Sequence, residues 1–177
     1  MLGEMDSTDL DDTHWDAAQE GAEMLREGDR EGAIALLTSV IQGDPTNPYG
    51  YFWLGAAYFE QQDLLKALKA YLSCVEIKPD YLGASLGLGR TLHALGRHRD
   101  ALRVGRQILH KNKQDGDALH LMGVCHFAMG DKAAARDYLE RFLETRPELE
   151  AAMEIEGMLK VLRGEVEPAE EMPDEGL

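Results

Sequence analysis

The sequence predicts an all-α fold made by stacking one helix pair several times. Three observations predict it. A glycine recurs every 34 residues, at Gly21, Gly55, Gly89, Gly123 and Gly157. An alanine keeps the same step at Ala33, Ala67, Ala101 and Ala135. Between these marks run amphipathic stretches of helical length, closed by Pro45, Pro79 and Pro147, with Lys113 where a further proline is due. Small residues at two fixed places let paired helices approach each other. Larger residues a turn away fill the space beside that contact. Proline has no N–H and suits the turn into the next pair.

Residues 48–81 carry the pattern most fully. A first helix over about 49–61 holds Tyr51, Leu54, Gly55 and Tyr58. A second over about 64–77 holds Ala67, Tyr71 and Cys74. This unit resembles the tetratricopeptide repeat, a helix–turn–helix module of 34 residues. The resemblance spans residues 14–164. It implies a right-handed superhelical solenoid whose first helices line a concave face.

In chain order, residues 1–13 carry five acids and no base, and are expected to form a disordered tail. Thr13 is placed to cap the first helix, with Asp16 in its opening turn. Unit one covers 14–47, with Gly28-Asp29 at its turn and Leu36, Leu37, Val40 and Ile41 on its second helix. Unit two is 48–81. Unit three, 82–115, is the least regular: Gly105 stands where the other units carry Leu37, Tyr71 and Leu139. A mid-helix glycine costs about 0.5–1 kcal/mol relative to Ala, and it leaves room where the others place bulk. Unit four is 116–149. Residues 150–164 restart the pattern with Met153 and Gly157 but have no second helix, as expected of a capping helix over an otherwise bare apolar flank. Residues 165–177, with six acids and no base, are expected to be a second disordered tail.

The formal net charge of the 177 residues is −15. The eleven tail acids leave 22 acids against 18 bases in the repeat body, so the acidity belongs mainly to the ends. That balance argues against nucleic acid as a partner. No apolar run approaches the ~20 residues of a membrane span, and the start lacks the basic and apolar regions of a secretory signal. The expected location is cytoplasmic. Cys74 and Cys125 fall at core-facing places and are read as buried free thiols.

If the first helices line a concave groove, as the resemblance implies, its candidate residues are Trp15, Tyr49, Phe52, Trp53, Phe59, Leu86, Arg90, His93, His120 and Phe127. Tyr49, Phe52 and Phe127 are the expected apolar anchors, and Arg90, His93 and His120 the polar positioning groups. An apolar groove suits a peptide or amphipathic helix of another protein. The clamp with which some members of the family grip acidic chaperone C-termini is missing, since Ala18, Ala22, Trp53, Gly83 and Gly87 occupy its places. Residues 51–80 are similar in style to the middle repeat of type III secretion chaperones, which implies a chaperone for a hydrophobic translocator as an alternative to an adaptor. Self-association through one array's tail or flank is another. On the second helix of unit three, Arg99, Arg103 and Arg106 form a stripe for an acidic partner or for one of the chain's own tails.

His93, His120 and His126 lie on neighbouring first helices and are candidates to cluster, yet none has the tight spacing of a metal motif. No phosphate loop or nucleophile elbow is present. The expectation is therefore a non-enzymatic protein with no metal and no cofactor.

Overall fold

The computed structural model describes residues 7–165. Within them the chain forms α1 (Ser7–Glu27), α2 (Arg30–Gly43), α3 (Pro48–Glu60), α4 (Leu64–Ile77), α5 (Leu82–Ala94), α6 (His98–Lys111), α7 (Gly116–Ala128), α8 (Lys132–Glu144) and α9 (Leu149–Arg163). The starts of α2, α4, α6 and α8 fall 34 residues apart, as do those of α3, α5 and α7. Consecutive helices pack as antiparallel pairs. Beyond these pairs, α1 meets α3, α3 meets α5 and α5 meets α7, whereas α2, α4, α6 and α8 do not meet one another. The first helices therefore occupy the tighter inner side of a curved stack, and the second helices fan outwards.

Local chemistry fixes where the helices begin. Asp29, Asp63 and Asp131 cap α2, α4 and α8 by accepting the backbone N–H of Gly32, Lys66 and Ala134. Asn47 and Asp115 cap α3 and α7 in the same way. Unit three breaks both rules, because Tyr81 and Arg97 stand at those places and neither side chain caps its helix. Each turn inside a pair needs one residue of positive φ. Gly28, Gly96 and Gly130 supply it without strain, and Gln62 takes φ 62° in unit two.

The repeating alanines Ala33, Ala67, Ala101 and Ala135 are all fully buried. The repeating glycines work differently from a simple backbone approach. Gly21, Gly55 and Gly123 each admit a side chain from the second helix of their own pair. A Cβ on Gly21 would lie 2.5 Å from Leu37, one on Gly55 2.9 Å from Tyr71, and one on Gly123 2.3 Å from Leu139. Gly157, with no second helix after it, faces nothing within 4 Å.

Unit three does this with a size exchange. Tyr71 lies between Gly55 and Gly87, and a Cβ on Gly87 would sit 2.4 Å from its ring. One repeat later the large and small places are swapped: Gly105 replaces Tyr71, and Leu121 replaces Gly87. Leu121 now covers Gly89 (2.4 Å to the added Cβ), and Met122 fills the room above Gly105 (2.7 Å). The room expected at Gly105 is thus occupied from the next unit.

The N-terminal expectation needs correction. Residues 1–6 lie outside the described ones, but 7–13 are helical, and Thr13 sits inside α1 rather than capping it. Side-chain contacts to α3, α4 and the turn before α3 hold this extension. Tyr49 Oη donates to Asp11 at 2.9 Å, and Lys78 Nζ donates to both Asp11 and Tyr49 Oη. His14 is buried, with Nε2 2.7 Å from the Asp44 carboxylate, and Asn47 Nδ2 donates to its carbonyl. The Lys78 hydrogen bond, opposed by desolvation and helped by Tyr49, holds the Asp11 carboxyl below the usual carboxylate range. A lowered folded-state pKa contributes stability above the unfolded value, about 3.9, and loses it as pH falls through the folded value. Asp11→Asn should therefore speed amide exchange in the first turns of α1 at neutral pH and abolish its acid dependence there. Unchanged exchange would show that the network does not hold the extension. The second acidic segment, 166–177, lies outside the described residues, and α9 ends at Gly164 in a left-handed cap.

Candidate functional site

The inner face divides into an aromatic end and a histidine end. At the aromatic end, α1 and α3 bring Trp15, Tyr49, Phe52 and Trp53 together. Trp15 meets Tyr49 edge-on at 5.1 Å between ring centroids, and Phe52 meets Trp53 at 4.8 Å. Tyr81 joins them at 4.9 Å from Phe52 and 5.4 Å from Tyr49. Sequence reasoning missed Tyr81. Its legible signal was an aromatic at the position where Asn47 and Asp115 cap their helices.

Tyr49 departs from its expected role. It is only 8% exposed and is held by Asp11 and Lys78, so it supports the cluster rather than meeting a partner. Trp15, at 42% exposure, is the open ring of the group. Trp53 Nε1 is enclosed with no acceptor among the described residues. Phe52 packs over Gly83, where a Cβ would come within 3.2 Å of its ring.

Further along the inner face, Phe59 lies under the exposed Arg90, with 5.9 Å from the guanidinium carbon to the ring centroid. Leu86 and Phe127 are half-buried. The three histidines expected to cluster do not form one group. His120 packs on Phe142 at 5.2 Å, and His126 stacks on Tyr138 with Nδ1 3.2 Å from Asp131. His93 instead meets His98, at 4.9 Å between rings, and Cys125 Sγ, 3.4 Å from its Nδ1. Periodicity hid this trio, because His98 belongs to the next helix and Cys125 is one step from Thr91, not from His93. Burial and neighbouring His98 and His120 push His93 below the usual histidine range. Burial also lowers His120, opposed by Glu154 and assisted by Arg90. Cys74 and Cys125 are buried free thiols, and burial alone raises Cys125 to about 11.

On the outer side, the fan between α4 and α6 leaves a cleft of about 870 Å³. Val75, Leu82 and Val104 give it an apolar floor, and Arg103, Arg106 and His110 give it a basic rim. Of the predicted stripe, Arg103 and Arg106 reach the cleft while Arg99 is exposed outside it. Asp100 binds both Arg97 (2.7 Å) and Arg103 (2.8 Å), so the stripe is partly neutralised by its own helix. Among the described residues no helix is long and apolar enough to cross a membrane.

Comparison with known proteins agrees with this architecture. Family models described as "Tetratricopeptide repeat" match residues 48–81 and 92–154, and one described as "TPR repeat" matches 21–62. Tetratricopeptide repeat protein 37 of Xenopus laevis is 27% identical over 126 residues, which is 71% of this chain and 8% of that protein. Human Superkiller complex protein 3 is 28% identical over the same share of each. The chain therefore spans less than a tenth of the length of these curated relatives. Among solved structures, PilF of Pseudomonas aeruginosa superposes with a TM-score of 0.75 at 20% identity, covering 87% of this chain and 71% of that one. MamA (41-end) of Desulfovibrio magneticus RS-1 gives 0.72 at 18% identity, covering 89% and 86%. At such identities the likeness concerns the fold.

Proposed function

Because this chain is a tetratricopeptide repeat protein, with the superhelical all-α fold of that family, we propose that it is a non-enzymatic adaptor that holds a peptide or amphipathic helix of another protein on its inner face. Proteins of this fold serve protein–protein interaction in general. The observation that carries the finer reading is the ring cluster of α1 and α3. Trp15 is open to solvent, Phe52 and Trp53 are half-buried beside it, and the enclosed Trp53 N–H has no acceptor. An apolar side chain seated against Trp15 and Phe52 would bury ring surface of the kind that dominates interface energetics. Arg90 and the neutral His93 and His120 lie further along the face as orienting groups.

The chain's two tryptophans, Trp15 and Trp53, both belong to this cluster, so selectively excited tryptophan emission reports on it alone. Peptides selected from a random display library should shift tryptophan emission on binding. They should lose about tenfold or more in affinity against Trp15→Ala, a loss of ~1.4 kcal/mol typical of a truncated anchor. Tyr49 is left intact, because its removal would also release α1. Peptides that bind with unchanged emission, and are lost instead in Arg106→Glu, would move the interface to the outer cleft.

A further inference from the structure

We propose that His93, His98 and Cys125 form a three-coordinate binding site for cuprous copper at the junction of units three and four. One ring nitrogen from each histidine and the Cys125 sulfur all lie within 4.8 Å of one another. Metal bonds of about 2.0 Å to nitrogen and 2.3 Å to sulfur, spread in a plane, put such donors roughly 3.5–3.7 Å apart. The His93 Nδ1 to Cys125 Sγ distance is already 3.4 Å. The other separations, all within 4.8 Å, need to close by about 1 Å at most to reach that spacing. His98 Nδ1 is also buried with no hydrogen-bond partner among the described residues, which is costly for a polar atom unless something else meets it.

The donor chemistry selects the ion. Thiolate with two imidazoles is a soft set, suited to cuprous copper or zinc. Zinc would need a fourth donor, such as a water, beyond the three the group supplies. Charge decides further: one thiolate neutralises a monovalent cation completely, whereas zinc would leave a net positive charge beside the buried Cys125. Binding forms the copper–sulfur bond and releases the thiol proton to solvent. No electron is exchanged, because copper enters already reduced.

The location gives the site a structural consequence. His93 lies in the last turn of α5, His98 opens α6 and Cys125 belongs to α7. The ion would clamp the turn of the one unit whose two helices both lack a side-chain cap, and tie that unit to the next.

The test is titration of the full chain with cuprous ion under anaerobic conditions, in competition with a colorimetric cuprous chelator. We expect one ion per chain and a thiolate-to-copper absorption band in the near ultraviolet. Tm should rise, because a ligand of the native state stabilises it by mass action. Affinity should fall at least 100-fold in Cys125→Ser and at least 10-fold in His98→Ala, and stay unchanged in Cys74→Ser. His98 is only partly buried, so its variant keeps the test alive should Cys125→Ser unfold. The proposal is overturned by absent stoichiometric binding, by binding that survives Cys125→Ser, or by a Tm that responds to zinc and not to cuprous ion.

Discussion

Gly87→Leu should lower stability by about 3 kcal/mol, the upper part of the usual range for overpacking a filled core. The reason is the Tyr71 ring, which already occupies the place a side chain at 87 would take. Tyr71→Gly alone should cost more, about 4–6 kcal/mol, from the lost ring and the glycine placed inside α4. Combined, the two changes reproduce the arrangement one repeat later, where Gly105 and Leu121 hold the matching positions. The double variant should then be at least about 2 kcal/mol more stable than the sum of the single losses predicts, a coupling expected of side chains in direct contact. Chemical denaturation of the four proteins measures it. Strict additivity would mean that the exchange between units two and three is coincidence, not complementary packing.

The fold was legible in the sequence because its cause is periodic. Gly21, Gly55 and Gly123, and the alanines that answer them, mark the same steric event in their pairs, and repetition separates that event from chance. The exchange at Gly105 broke the period and read as a gap, because the residue that fills it, Met122, comes from the following unit. The start of α1 was illegible for a related reason. Its support is a contact between Asp11, Tyr49 and Lys78, residues far apart in sequence, and no local pattern announces it. The candidate site was half legible. Placing first helices inside brought Trp15, Phe52 and Trp53 to one surface, as the ring contacts show. Exposure could not be read, so Tyr49 looked like an anchor when it is a buried support. The histidines were assigned by register along the first helices, whereas His98 meets His93 across a turn and escapes any such rule.

Removing the grip of α9 should have the second large effect, and a local one. Ile155 and Leu159 are each 1% exposed and close a core with Leu119, Leu139 and Phe142. On its other side α9 presents Leu149 and Met153 at 77% and 63% exposure. Truncating a buried aliphatic side chain to Ala costs about 2–5 kcal/mol, so Ile155→Ala with Leu159→Ala should cost about 4–10 kcal/mol, comparable to the whole stability of an ordinary domain. In a stack where helices touch only near neighbours, that loss need not spread. The α8 helix, which packs on α9, and α7 behind it should lose amide protection first, while α2–α5 keep theirs. Exposed Leu139 and Phe142 should bind an apolar dye. Hydrogen exchange followed by mass spectrometry resolves these segments. Protection lost evenly from α2 to α8 would mean that the array opens as one cooperative body. In that case α9 would stabilise the chain as a whole instead of sealing one end of it.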